Sequence, residues 1–306
     1  MIVGMPQYLA GLLAALLAPL LHAPANILDS YFSNRLFTRL GSLIFFSMLL
    51  NLLFLPALFL IDVPGLIDVS LWPVLLVLAV VDVFWLYPYY WALRRTDTSI
   101  AVSLFSIGNI FVPLLAFFIV GELLTPLQYV GFFAVVFASI ALTHDHRGFR
   151  PNPALLCMVA VSLLLAFTAV LEKYLFVRGV DFVTLMVWVA VLQAACAGVF
   201  SLVTRGKDDA VLPKRATAQV LAAILLMQLL TWVGDAADSF AASLIPVSVV
   251  VGIVATQPLI ALGYALAFEK RHPLFFKEHI EWSNLKKKVP FFIAMMIGAV
   301  LVSGLS

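Results

Sequence analysis

Apolar residues run through this chain in long unbroken blocks, separated by short polar breaks, with no sustained alternation of the kind a strand shows. Taking the blocks between charges and turn residues gives ten segments: 8–33, 40–61, 71–93, 98–120, 127–143, 153–177, 182–203, 216–234, 240–268 and 289–305. Crossing a bilayer as a helix takes about 17–25 mostly apolar residues, and these blocks are of that order. Hydrocarbon offers the backbone no hydrogen-bond partners, so each block must satisfy its amides internally as a helix. The pattern predicts an all-α membrane protein of ten transmembrane helices joined by short connections, apart from longer loops at 204–215 and 269–288.

The polar residues inside the blocks are few and periodic. Ser99, Ser103, Ser106, Asn109 and Pro113 recur at steps of three or four along the fourth segment, on one helical face. His22, Asn26, Asp29 and Ser33 do so on the first, Asp82, Trp85 and Tyr89 on the third, and Gln228, Thr231 and Asp235 on the eighth. Thr168 and Glu172 share a face of the sixth; Ser248, Gly252 and Thr256 align on the ninth, with Gln257 beside them. Polar groups at membrane depth are costly unless they face a bundle interior or a wet cavity. Segments 1, 3, 4, 6, 8 and 9 are therefore expected to line a cavity, with 5 and 10 in a supporting role. Some of the hydroxyls are expected only to bond back to their own helix or to pack between helices.

Asp82 is the sharpest single signal. It lies midway along its segment with no Lys or Arg within a turn, and a mid-helix Asp costs roughly 2.5–3.5 kcal/mol to insert. The chemistry open to it is carrying a coupling proton or binding a substrate amine, or a structural hydrogen bond to a neighbouring helix. Trp85, Tyr89, Asn26, Ser103, Ser106, Asn109, Gln228, Thr256 and Gln257 join it as candidate substrate-binding or coupling residues. Asp29, Glu172 and Lys173 lie near the ends of the first and sixth segments and are candidate gates. Tyr87, Tyr90 and Trp91 approach Arg94 and Arg95 and read as an interfacial aromatic belt. Glu122 and Glu269 read as anchors of the turns that follow them.

Composition closes the soluble alternatives. The chain is 64% hydrophobic and 11% charged, with mean hydropathy +1.10, against about 25% charged residues in soluble domains. A net charge of +2 carries no nucleic-acid signal, since the basic residues sit in short clusters between apolar blocks. Of 18 Lys and Arg, 16 fall in loops after odd-numbered segments; the remaining two are Lys173 and Arg178. The positive-inside bias puts those loops in the cytoplasm and both termini outside, in a multi-pass cell (cytoplasmic or inner) membrane protein. Met1 is not followed by a basic n-region or the apolar block by a cleavage site, so the first segment is expected to stay as a helix. Cys157 and Cys196 lie in apolar blocks and read as core residues. His144-Asp145-His146 reads as a solvated turn, and neither a metal nor a cofactor is expected.

The two halves echo each other. Residues 26–32 resemble 169–175; Trp91 and Asp97 match Trp232 and Asp238; Glu122, Pro126 and Leu127 match Glu269, Pro273 and Leu274 at equal spacing. Two five-helix units, 1–148 and 149–306, follow, and an odd number of helices per unit inverts the second copy, a device by which transporters open a site alternately to each side. Pro113 and Pro258 fall at corresponding places and suggest paired hinges.

The stretch Thr98–Leu142 carries a small-residue-rich helix with a central proline, then Gly121-Glu122-Leu123-Leu124-Thr125-Pro126-Leu127, then an apolar helix with Gly131. It resembles the drug/metabolite transporter superfamily in its ten-helix EamA-type form, with a weaker copy from Gln257-Pro258 to Phe268-Glu269. The loop 269–288 is longer and more charged than that family's, and the outside termini depart from its usual cytoplasmic ones. The resemblance implies a secondary transporter of small polar or amphipathic metabolites, such as amino acids or drugs, working by alternating access around a cavity built from the same six helices. The partners expected are a small-molecule substrate, coupling protons and the bilayer, in a monomer or homodimer. A lipid-linked carrier or flippase of the same fold is the alternative. An intramembrane enzyme would need a cluster of ligands or a nucleophile constellation that the segments do not contain.

Overall fold

A computed structural model describes residues 5–37, 39–95, 104–105, 107–143, 153–204, 218–268 and 282–304. The described residues are helical with no strand. In chain order the helical segments are α1 (Met5–Arg35), α2 (Leu40–Leu58), α3 (Val69–Leu93), α4 (Val112–Val120), α5 (Pro126–Thr143), α6 (Pro153–Val177), α7 (Phe182–Val203), α8 (Ala218–Leu244), α9 (Val247–Val254 continued by Gln257–Phe268) and α10 (Trp282–Ser303). Among the described residues seven helices, α1, α2, α3, α6, α7, α8 and α9, are long and apolar enough to cross a membrane, and shorter apolar stretches lie at 126–141 and 289–303. The predicted fourth segment, 98–120, is described only in part.

Prolines explain where these helices break. A proline at position i leaves the carbonyl of i−4 without its helical donor. Pro88 does this to Phe84, where the first stretch of α3 ends before resuming at Leu86. Pro258 does it to Val254, the last residue of the first stretch of α9. N-terminal to Pro113, the amides of Ile110 and Phe111 bond three residues back, to Ile107 and Gly108. Both proposed hinge prolines thus stand immediately after a loosened turn. Pro19 and Pro24, by contrast, are absorbed within a continuous α1.

The eighth and ninth segments differ from the sequence expectation. Asp235 and Asp238 suggested a boundary between 234 and 240, yet α8 continues to Leu244 and turns at Pro246. The charges lie on the helix because they face the bundle interior, as the next subsection describes.

The segment 121–128 is a stop, turn and start in one. Gly121 has φ +70, and its N–H donates to Phe117 O (3.1 Å), closing α4 with a left-handed cap, beside which Glu122 N–H donates to Ala116 O (3.2 Å). Thr125 then caps α5: its hydroxyl accepts from the Gln128 amide (3.3 Å), Gln128 Oε1 accepts from the Thr125 amide (3.0 Å), and Pro126 fills the first helical position.

Packing joins the halves. α1 lies along α8 and α6 along α3; α1 also meets α9, as α6 meets α4; α2 packs on α7, and α5 on α10. The α5–α10 contact is glycine-mediated: a Cβ on Gly131 would fall 2.7 Å from Gly298 O, and one on Gly298 would fall 2.8 Å from Gly131 O. Just before α4, where the chain crosses α6, a Cβ on Gly108 would overlap the backbone carbonyl of Ser162, which cannot move without α6. Gly108→Ala is therefore expected to lower the melting temperature in detergent, by the roughly 1–3 kcal/mol of an overpacked contact or more. Gly263→Ala is the control: nothing lies within 4 Å of its Cβ, so the substitution is expected to be neutral or to stabilise by up to about 1 kcal/mol. Equal melting of both variants would show the crossing to be looser than described.

Candidate functional site

Enclosed by α1, α2, α3, α6, α7, α8, α9 and the turn before α4 is a cavity of about 360 Å³. Five carboxyl groups line it, Asp29, Asp82, Glu172, Asp235 and Asp238, together with His22 and the amides Asn26, Asn51, Asn109, Gln193, Gln228 and Gln257. Neither lysine nor arginine is among the described lining residues.

Four of the acids are held by contacts between helices. On α1, Asp29 accepts from both tyrosines of α3: Tyr89 to Oδ2 at 3.4 Å and Tyr90 to Oδ1 at 3.2 Å; Tyr89 also reaches Asn26 Oδ1 at 3.2 Å. Asp82 of α3 receives Gln193 Nε2 of α7 at 3.0 Å. His22 Nε2 lies 3.2 Å from Asp238 Oδ2 and 3.7 Å from Asp235 Oδ1, joining α1 to α8. A Cβ on Gly234 would stand 2.7 Å from that imidazole, so glycine is what lets the ring seat between the two acids. Gln228 Nε2 of α8 donates to Asn51 Oδ1 of α2 at 2.5 Å.

Apolar walls complete the site. Trp85, Tyr89 and Phe105 form an aromatic group with centroids 5.4–6.4 Å apart. Four buried polar atoms of wall residues have no hydrogen-bond partner among the described residues: the Ser47 hydroxyl, Trp232 Nε1, the Gln257 Nε2 amide and Asp238 Oδ1. Buried polar atoms are rarely left so.

The EamA-like transporter family model matches residues 9–143. The match covers under half of the chain. No curated protein matches the sequence. Among solved structures the whole chain is similar to a crystal structure described only as that of a protein, at TM-score 0.69 and 15% identity, covering 98% of this chain and 99% of the other. That likeness concerns the fold. The family match and the apolar helices together support a multi-pass membrane transporter.

Within the bundle the sequence-predicted residues separate into groups. Asp82, Trp85, Tyr89, Asn26, Asn109, Gln228 and Gln257 all line the one cavity. Ser103 and Ser106 lie outside the described residues, as do Glu269 and His144-Asp145-His146. Thr256 is not in the wall: its hydroxyl donates to Ile253 O of its own helix at 2.7 Å. The stripe Ser248-Gly252-Thr256 turns instead toward α5 and α10, where a Cβ on Gly252 would stand 3.0 Å from both Phe132 and Val302. It is a small-residue packing face, and α9 gives the cavity Val247, Val250, Val251 and Val254 along with Gln257.

The three gate candidates are also placed differently from expectation. Asp29 and Glu172 sit in the cavity wall, not at separate mouths, because α1 continues two turns past Asp29, to Arg35. Lys173 points out of the cavity. Its Nζ donates to Ala242 O at 2.7 Å and Ile245 O at 2.9 Å. Ala242 is the carbonyl that Pro246 deprives of its helical donor, so the lysine replaces the missing amide. On the other side of the same joint the Glu122 carboxylate accepts from the amides of Val247 and Ser248, at 2.9 Å each, capping the second helix.

Several wall residues stood outside the expected site. His22 and Asp235 were visible on polar stripes but were not placed in it. Asp238 was assigned to a loop and Tyr90 to the interface, yet both line the cavity. Asn51 and Gln193 bring in α2 and α7, two helices not expected to contribute. The supporting role expected of α5 and α10 fits the lining, to which neither contributes a described residue.

Proposed function

We propose that this protein is a secondary transporter of small metabolites carrying a protonated amine, coupled to protons and working by alternating access around the central cavity. One observation carries the substrate class: five carboxyl groups and no lysine or arginine among the described wall residues. Uncompensated charges in a low-dielectric site are prohibitively costly, so the acids must be neutralised by protons or by a cationic guest. A site that can hold either at the same groups exchanges one for the other. Trp85, Tyr89 and Phe105 supply aromatic faces that attract an ammonium group.

Alternating access is supported by the pairing of the helices. Exchanging each segment of the first half with its counterpart five places on turns α1–α8 into α6–α3 and α1–α9 into α6–α4, and leaves α2–α7 and α5–α10 unchanged; all these contacts are present. Two inverted five-helix repeats, 1–148 and 149–306, would pack in this way.

The test is uptake by proteoliposomes under an imposed pH gradient, with radiolabelled panels of amine-bearing, neutral and purely anionic metabolites of similar size. Accumulation of amine-bearing compounds, with protons moving in the opposite direction, is the expected result. Preferential transport of anions would overturn the proposed substrate class, and uptake indifferent to the gradient would overturn coupling.

A further inference from the structure

The acids of the central cavity are divided between two levels. α1 and α3 run side by side in the same direction, with Tyr90 bonded to Asp29 at 3.2 Å and Asn34 to Leu93 O at 3.2 Å. Asp29, held by Tyr89 and Tyr90, marks one level. Seven residues before Asp29 and Tyr89 stand His22 and Asp82, which mark the other level, two helical turns or about 10 Å away. There α8 brings Asp235 and Asp238 to His22 at 3.7 and 3.2 Å. Asp82 and Glu172 both lie within electrostatic reach of Asp235. Asp29 feels Asp235 as well, and all five carboxyls line the same cavity.

Between the two levels the wall changes character. On α3, Trp85 stands one turn from Asp82 and one from Tyr89 on the same face, and its ring centroid is 5.5 Å from that of Tyr89 and 6.4 Å from that of Phe105. Leu165 and Ala169, one to two turns before Glu172 on α6, line the cavity too. The cavity therefore presents acid, then aromatic and apolar surface, then acid again. His22 is the one basic side chain among the described lining residues, so a single ammonium would leave most of the carboxyls to protons alone. Neutralising both levels at once takes a guest with two positive charges joined by an apolar chain.

We infer that the substrate is a linear aliphatic diamine or longer polyamine, with one ammonium at Asp29, another at Asp82 and Asp235, and its methylenes over Trp85. The inference rests on the proposed transport of amines through this cavity and adds the number and spacing of the charges. Taking an ammonium–carboxylate contact of about 2.8 Å at each level from the roughly 10 Å between them leaves about 5 Å or more between the nitrogens. An extended chain gains about 3.5 Å per three bonds, so about four carbons span that gap and about two do not. Once the first ammonium is held, the second binds as an intramolecular event and adds affinity at little further entropic cost. The Trp85 and Tyr89 rings favour cations placed beside them.

The experiment is equilibrium binding of radiolabelled cadaverine, pentylamine and ethylenediamine to the purified full-length protein at neutral pH. Cadaverine is expected to bind about tenfold or more tightly than either of the others. Asp29→Asn, which keeps an oxygen for one of the two phenols, is expected to bring the ratio of cadaverine to pentylamine affinity close to one, and Asp29→Glu to restore most of it. Loss of folded protein lowers the binding of every probe together and leaves that ratio where it was. Equal affinity for cadaverine and pentylamine overturns the two-charge substrate while the amine reading stands. Ethylenediamine binding as tightly as cadaverine overturns the spacing, and an unchanged ratio in Asp29→Asn overturns the assignment of Asp29. If no amine binds while neutral or anionic metabolites do, the proposed transport of amines falls and this inference with it.

Discussion

Asp82→Asn is expected to abolish concentrative uptake while leaving the protein folded, inserted and able to exchange substrate down a gradient. Asparagine has the same shape as aspartate and keeps an oxygen to accept Gln193 Nε2, so the 3.0 Å bond between α3 and α7 survives. What it removes is the capacity to change charge. Moving one elementary charge across 100 mV is worth about 2.3 kcal/mol, equivalent to about a 50-fold concentration ratio. If Asp82 carries the coupled proton, that ratio collapses to near unity under an imposed gradient, whereas counterflow exchange persists. Asp82→Glu should retain coupling. A variant that still accumulates substrate like the wild type, with the same pH dependence, would reduce Asp82 to a structural hydrogen-bond acceptor and move the coupling role to one of the other four acids.

The residues that were legible in the sequence share a physical property. Asp82, Asn26, Tyr89, Asn109 and Gln228 stand on periodic polar stripes, and a stripe within an apolar block fixes a face even when the partner helix is unknown. Asn51 and Gln193 are single amides in otherwise apolar helices, and one polar residue has no period to read. Asp235 and Asp238 misled in the opposite sense. Two acids in four residues usually end an apolar block, and here they continue it, because the helix sets Asp235 and Asp238 beside His22, at 3.7 and 3.2 Å, in the wall of the polar cavity. Only the pairing of α1 with α8 reveals why they are tolerated. Thr256 shows that a small-polar stripe has two uses, and that the Gly252 contacts with α5 and α10 decide between them. The ten apolar blocks gave the all-helical membrane architecture, but the proline-directed breaks set helix ends that hydropathy alone cannot resolve.

Lys173 was beyond reach of the sequence for a similar reason, since its acceptors exist only because Pro246, 73 positions along, frees a carbonyl. That joint leads to the second large expected effect. The Glu122 carboxylate, from the first half, holds the Val247 and Ser248 amides of the second half, while Lys173 holds the Ala242 and Ile245 carbonyls. All lie at the end of the bundle opposite Arg94 and Arg95, which follow the end of α3. Glu122→Ala would leave two helix-terminal donors without their charged acceptor, and hydrogen bonds to charged groups contribute roughly 1.5–3 kcal/mol each. If this contact closes the cavity at that end, its loss shifts the balance toward a state open there by about one to two orders of magnitude. The measurement is the labelling rate of a cysteine at Asn109, a cavity residue, in a background with Cys157 and Cys196 replaced by serine. An impermeant reagent should label Asn109→Cys about tenfold or more faster from that end in the Glu122→Ala variant, and more slowly from the arginine end, because one open mouth excludes the other in an alternating carrier. Glu122→Gln, which keeps one neutral acceptor oxygen, should fall between. Faster labelling from both ends together would describe a leak or a channel, and alternating access would have to be given up. An unchanged rate in a folded variant would make the Glu122 contact a helix cap and nothing more.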